Sequence, residues 1–377
     1  MCLDDAVDKT EKGMEESLSG SSVVAVRSGA HPESICENTV ALDIKPEDLD
    51  DNFFPMIRCG AWSHEGSRKS MEDTHVCIAD LAMEFGCTSL YESTVSFYGV
   101  FDGHGGTAAA HFVRDNLPRV IVEDADFPLK LEKVVTVEDA DFPSKLEKVV
   151  TRSFMKTDEE FKQSCLSTES SGTTALTAMI FGRYLLVANA GDCRAVLSRI
   201  GKAIEMSEDH KPICKREEER IKSLGGYVDK EGYLNGELSV SRALGDWHLD
   251  GLKKVGGGPL SAEPELKMVT LTKGDEFLII GSDGLWDVFS SEDAVDFARE
   301  QLQKHNDAEA CCRELVKRAK ERGSIDDLTA LVVCFQSEPP SQIVVHRSRV
   351  RLRISSAGLQ HLNCLLESQE RQQKEND

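Results

Sequence analysis

What this sequence lacks narrows it before any motif is read. No apolar run approaches the roughly 18 residues that a membrane-spanning helix needs. The opening stretch MCLDDAVDKTEKGMEE has neither the basic segment nor the apolar core of a secretory signal. Residue 2 is Cys, so the N-myristoylation pattern is missing, and no Asn-x-Ser/Thr sequon occurs. Basic side chains are too few: 44 against 66 acidic ones leave a net charge of −22, which argues against a nucleic-acid-binding surface. The 12 cysteines show no Cys-x-x-Cys spacing, and Cys311 and Cys312 are adjacent on a helical pattern. That usage predicts reduced core thiols in a cytoplasmic or nuclear protein, not disulfides or zinc sites. Neither a Gly-x-Ser-x-Gly elbow nor a Gly-x-x-x-x-Gly-Lys-Ser/Thr phosphate loop is found.

What is there centres on Ser96–Gly106, SFYGVFDGHGG. Its aromatic and β-branched residues read as a buried strand that ends abruptly at Asp102-Gly103-His104-Gly105-Gly106. A carboxylate and an imidazole two residues apart, on a glycine-loosened turn, can both face a cleft. Gly103 lets backbone approach closely and leaves its carbonyl free as an oxygen ligand. Taken alone, the same residues also suit a strand-to-helix turn whose Asp caps the helix.

Along the chain, residues 1–57 read as a disordered acidic leader, with 13 acidic and 4 basic residues in the first 51. A single folded domain is expected over 58–336. A helical pattern begins at Thr107 and is expected to halt around Pro118. Val122–Thr136 (VEDADFPLKLEKVVT) is then repeated as Val137–Thr151 (VEDADFPSKLEKVVT), differing only at Leu129 and Ser144. The second copy runs into the amphipathic Arg152–Gln163, so it should keep the packed position, with the first copy looped out or forming a separate surface segment between Pro118 and that helix. The apolar runs at 173–181, 184–190, 276–282 and 328–335 read as strands, and 215–223, 292–304 and a segment capped at Asn306 as helices. The segment 232–258 is glycine-rich and irregular, which suggests a functional flap. Residues 337–377 form a basic and polar tail with Arg347, Arg349, Arg351 and Arg353 on one face.

Four times an apolar strand or hairpin reaches an Asp in a glycine-containing turn: Asp102, Asp192, Asp283 and Asp326. Glu72-Asp73 directly precedes another strand. Several carboxylates on one rim would repel each other and rise in pKa unless a cation intervened. Oxygen-only donors favour a hard divalent ion, magnesium or manganese, over zinc.

Arg68-x-x-Met71-Glu72-Asp73, Phe101–Gly106, Ser171-Gly172-Thr173-Thr174-Ala175, Ala190–Arg194, Leu238–Asp246 (LSVSRALGD), Ser282–Asp287 (SDGLWD) and Asp326-Asp327 stand in an order and spacing that resembles the type 2C protein phosphatases. The likeness, to plant members especially, covers about residues 58–336. It implies an α+β fold, a four-layer α-β-β-α sandwich of two antiparallel sheets flanked by helices. It also implies Mg²⁺ or Mn²⁺, two ions per subunit and a weaker third, and in-line attack of a metal-bridging water on phosphoserine or phosphothreonine. Carried over by position, Asp102 bridges two ions, the Gly103 carbonyl binds one of them, and Asp283 and Asp326 complete the other. Glu72 and Asp73 act largely through metal-bound water, Asp192 and Asp287 with Asp283 hold the third ion, Arg68 holds the phosphate, and His104 is the general acid. Asp327 departs from the family, where Asn is usual, and its extra charge is expected to tighten metal binding or raise the local pKa.

The implied partners are phosphorylated proteins, such as kinases and other signalling proteins, met by a monomer with no nucleic acid or membrane surface. A catalytically inactive phosphatase-like scaffold that binds phosphoproteins is the alternative, disfavoured because every expected ligand type is present. Some plant relatives dock a hormone receptor through a flap tryptophan, and the flap Gly225–Gly245 has none.

Overall fold

The computed structural model describes residues 53–68, 70–86, 94–127, 141–164, 170–254 and 257–342. Most of the acidic leader, the middle of the duplication and the arginine-striped tail lie outside the described residues. β1 (Arg58–His64) passes through the Arg68 loop to β2 (Thr74–Ile78), the one-turn α1 (Leu81–Glu84) and β3 (Val95–Phe101). β4 (Gly103–His104) opens onto α2 (Ala108–Glu123), followed by α3 (Phe142–Ser164) and β5 (Gly172–Thr173). A meander of β6 (Ala175–Phe181), β7 (Tyr184–Ala190), β8 (Arg194–Arg199) and β9 (Lys202–Glu205) precedes α4 (Lys215–Ser223) and β10 (Leu244–Gly245). The last part holds β11 (Glu265–Thr270), β12 (Asp275–Gly281), α5 (Asp283–Trp286), α6 (Ser291–His305), α7 (Ala308–Glu321) and β13 (Leu328–Cys334).

Two five-stranded antiparallel sheets result, ordered β1-β13-β12-β8-β9 and β11-β7-β6-β3-β2. Alternation decides their faces. Tyr98, Val100, Leu176, Ala178 and Ile180 of one sheet meet Leu278, Ile280, Leu331 and Val333 of the other between the sheets. The opposite faces pack outward. Phe97, Phe101 and Met179 bury against Val113, Leu117 and Phe154 of α2 and α3. Ile279, Ala330 and Val332 bury against Val295, Leu302, Leu315 and Val316 of α6 and α7. This is the expected α-β-β-α layering.

Register places the functional turns. In one sheet Arg194 pairs with Gly281, Gly281 with Ala330 and His64 with Leu328. In the other, Thr74 pairs with Phe101, Val100 with Leu176 and Ala175 with Ala190. The end of β3, the β7–β8 turn, the end of β12, the start of β13 and the β1–β2 loop therefore share one end of the sandwich.

Three local expectations are corrected. α2 does not halt at Pro118 but carries it internally and runs to Glu123. Proline in a helix interior costs about 3 kcal/mol. Burying Leu117, Val120, Ile121 and Val122 offsets this, at about 1.5–3 kcal/mol for each large aliphatic side chain. At the start of α7, Asp307 is the cap, accepting from the Glu309 and Ala310 amides at 2.9 and 3.1 Å. Asn306 instead closes α6 in the left-handed region, φ 48°. Third, the first copy of the duplication is not wholly outside the core. Val122 lies buried in the last turn of α2, Phe127 is fully buried, and Asp124 and Asp126 both accept from Arg152. The second copy does open α3, with Phe142, Leu146, Val149 and Val150 buried. Phe127 and Phe142, the same position in the two copies, join one core.

Candidate active site

Each turn is held by backbone bonds that leave its carboxylate available. The Asp102 amide donates to Thr174 Oγ1 at 3.1 Å, and its carbonyl accepts from the Thr174 amide at 2.9 Å. Asp283 is the first residue of α5, whose Asp287 amide returns to the Asp283 carbonyl at 2.8 Å. Asp192 sits in the turn opened by Gly191 at φ 134°, where a side chain would meet Thr174. Three strands from two sheets thus deliver Asp102, Asp192 and Asp283, one carboxylate oxygen from each lying within 4.8 Å of the others.

Burial and crowding show in the titration of this cluster. Burial, with Asp73, Asp283 and Asp192 beside it, pushes the Asp102 carboxyl well above the usual range. Burial and the Asp283 charge push Asp192 up to about 7, and burial pushes Asp73 up to about 7 against a bond from Ser282. Asp283 is raised by burial, then by Asp326 and Asp287. Among the described residues, the neighbouring cations are Lys211, 3.9 Å from Asp192, and Arg68, 2.5 Å from Asp326 and 3.9 Å from Glu72.

Two further observations fit a cation. The Oδ1 of Asp73 is buried without a hydrogen-bond partner while its Oδ2 accepts from Ser282 Oγ at 2.7 Å. A Cβ at Gly103 would lie 2.6 Å from the Glu72 carbonyl oxygen, so only glycine lets the two backbones close here. The donors are all oxygen, the set that hard divalent ions take.

The sequence profile of Protein phosphatase 2C matches residues 57–328. This chain belongs to that family. It is 61% identical over 342 residues to a probable protein phosphatase 2C 27 of Oryza sativa subsp. japonica, covering 89% of this chain and 92% of that one. It is 52% identical over 322 residues to a probable protein phosphatase 2C 27 of Arabidopsis thaliana, covering 85% and 80%. Among solved structures it resembles a serine-threonine phosphatase 2C from Toxoplasma gondii, with TM-score 0.62, 25% identity and coverage of 77% and 98%. It is a plant-like, metal-dependent protein serine/threonine phosphatase, and its substrates are phosphoproteins.

Asp102, Asp192 and Asp283 meet within 4.8 Å, Asp73, Asp326 and Asp287 lie close enough to raise these carboxyls, and Arg68 pairs with Asp326 and Glu72, with two refinements to the expected site. Asp327 is buried. Its Oδ1 accepts from the Gly66 amide at 3.1 Å and its Oδ2 from the Glu72 amide at 2.8 Å. The two amides address different oxygens, and a carboxylate has an oxygen at each position where an amide has only one. Its charge does raise Asp73, as expected of an extra anion.

The second refinement is a residue that sequence reasoning missed. Asp246, the last residue of LSVSRALGD, has its Oδ2 2.9 Å from His104 Nε2. Its Oδ1 is buried with no partner. The signal was present: Gly245-Asp246 repeats the Gly-Asp turn signature of Gly191-Asp192, but it closes a two-residue strand in the flap and not a long apolar one. Asp246 has φ 57° and its amide donates to the Ser171 carbonyl at 3.0 Å. The preceding Gly245 amide donates to Asp158 Oδ1 on α3 at 2.7 Å.

Proposed function

We propose that this phosphatase hydrolyses phosphoserine and phosphothreonine in signalling proteins, as a monomer of the cytoplasm or nucleus, using Mg²⁺ or Mn²⁺. Two ions per subunit and a weaker third are the reading we favour. Asp102, the Gly103 carbonyl, Asp283 and Asp326 would hold the first two, with Glu72 and Asp73 supporting them, and Asp192, Asp283 and Asp287 would hold the third. When bound, the ions supply Lewis-acid polarisation of the phosphoryl group and of water. The observation that carries the reading is the convergence of the Asp102, Asp192 and Asp283 oxygens within 4.8 Å of one another.

The chain's own residues do the rest. Arg68, half-exposed at the rim and paired with Asp326, offers a planar fork that matches two phosphoryl oxygens. The alkoxide of serine or threonine leaves poorly unless protonated. With Nε2 of His104 bound to Asp246, Nδ1 is the nitrogen that delivers that proton. Water adds to phosphorus, the ester oxygen departs as the alcohol, and inorganic phosphate is released. No covalent phosphoenzyme is required.

The test is hydrolysis of a phosphothreonine peptide by the full chain with Mn²⁺ or Mg²⁺, followed by EDTA. Turnover should require the metal, and Asp102→Asn should lower kcat by orders of magnitude without unfolding the protein. Metal-saturated protein with no turnover would instead favour a phosphoprotein-binding scaffold.

A further inference from the structure

β1 and β2 belong to different sheets, yet each is the edge strand on the same side of the sandwich. Cys59 lies opposite Val333 in the β1–β13 register and Cys77 opposite Tyr98 in the β2–β3 register. Val333 and Tyr98 both face the space between the sheets, so the two thiols face each other across the open edge. Their sulfurs are 3.3 Å apart. A second contact crosses the same seam, Ser63 Oγ to His75 Nδ1 at 3.2 Å. The adjacent Cys311 and Cys312 differ: their thiols reach separate carbonyls, of Ala298 and Gly60.

We propose that Cys59 and Cys77 are a peroxide-oxidisable dithiol whose disulfide locks the open edge of the sandwich beneath the Arg68–Asp73 loop. A disulfide bond of about 2.05 Å asks the sulfurs to close by about 1.3 Å from where they stand, a small shift for edge strands. The closed ring would run from residue 59 to residue 77 and would hold Arg68, Glu72 and Asp73 within it, so the bridge ties the base of the segment that carries them.

The two sulfurs are not equivalent. Cys77 is exposed and Cys59 half-buried. The hydrogen bond from Cys59 pulls the Cys77 thiol below its ordinary pKa against burial. The same contact, with burial, pushes Cys59 up. Cys77 is therefore the attacking thiolate and Cys59 the resolving thiol. The Cys77 thiolate attacks hydrogen peroxide, an S–O bond forms as the O–O bond breaks, and the departing hydroxide takes up the proton that the Cys77 thiol gave up on ionising and leaves as water. The Cys59 sulfur then attacks the Cys77 sulfenic acid, the S–S bond forms as the S–O bond breaks, and the departing oxygen takes the Cys59 proton as a second water. Two thiols are oxidised to one disulfide and one peroxide is reduced to two waters. A dithiol reductant reverses the change. In a reducing compartment such a bridge is transient and responsive, not a fixed framework.

The test uses the reduced full chain, treated with hydrogen peroxide, alkylated and digested without reduction. The expected product is a Cys59 peptide linked to a Cys77 peptide, two hydrogens lighter than the pair of thiols and lost on adding dithiothreitol. The oxidised protein should melt several degrees higher, because the bridge constrains the unfolded chain. Cys59→Ser should leave Cys77 as a sulfenic acid trapped by dimedone, and Cys77→Ser should leave Cys59 unoxidised. The proposal fails if Cys77 proceeds to sulfinic acid while Cys59 still alkylates. It also fails if either thiol bridges to another cysteine instead, or if the linked protein melts no higher than the reduced one.

Discussion

His104 Nε2 lies 2.9 Å from Oδ2 of Asp246, a contact between residues 142 positions apart. Glycine makes the approach possible: a Cβ on Gly172 would lie 2.1 Å from that same Oδ2. The carboxylate is almost wholly buried and meets the imidazole at Nε2, which in the proposed mechanism leaves Nδ1 to move the proton. The arrangement resembles the role of the buried aspartate in hydrolytic triads, without a nucleophilic serine.

Asp246→Asn keeps the shape and removes the charge. It should lower kcat on a phosphothreonine peptide by about 10–100-fold and spare an aryl phosphate, whose leaving group needs no proton. His104→Ala should show the same bias, and the double variant should be no worse than His104→Ala, since both act through one proton. Equal losses on alkyl and aryl substrates would remove the pair from the acid role.

The crowded carboxylates make a signed prediction for the cation-free protein. Asp73 and Asp192 are each raised to about 7 in the fold, above the ordinary value of about 3.9. The folded state therefore holds these protons more tightly than the unfolded chain. Their contribution to stability is complete below about pH 4 and is lost as the pH rises through about 7. In EDTA, Asp192→Asn should gain melting temperature relative to wild type as the pH is raised from about 5 to about 7.5. With saturating Mn²⁺ that advantage should vanish or invert. A difference in EDTA that stays flat with pH would contradict the crowding account.

Arg68→Lys tests the guanidinium fork separately from its charge. The ion pair with Asp326 can survive in lysine, but two parallel bonds to a phosphoryl group cannot. kcat/KM for the phosphopeptide should fall by about 10-fold or more. Unchanged kcat/KM would return Arg68 to an ordinary rim arginine.

Phe127 decides where the duplication sits. Fully buried beside its counterpart Phe142, it should cost about 3–5 kcal/mol when changed to Ala, read as a lower denaturant midpoint at unchanged m-value. Deleting Val137–Thr151 leaves a single copy to serve both α2 and α3, so one of the two aromatic plugs is lost. The deletion should fold with reduced stability. A Phe127→Ala midpoint equal to wild type would put the first copy outside the core after all.

The strands, the hairpin at Gly182, α4 over Lys215–Ser223 and the aspartates at strand ends were legible because each rests on local chemistry: a short apolar run, a helical period, or a glycine turn with an acidic side chain. The order and spacing of the motifs around Arg68, Asp102, Asp192, Asp283 and Asp326 carried the family. Pro118 misled because a local cost was read without the burial of Leu117, Val120 and Ile121 that outweighs it. The bonds of Asp327 to two amides and the meeting of Cys59 with Cys77 had no local mark, and the Gly245-Asp246 turn marked an acidic residue without showing that it meets His104. Each depends on which strands become neighbours and on how two sheets stack. That is fixed by the burial of side chains tens to hundreds of positions apart, and a pattern with a period of a few residues does not record it.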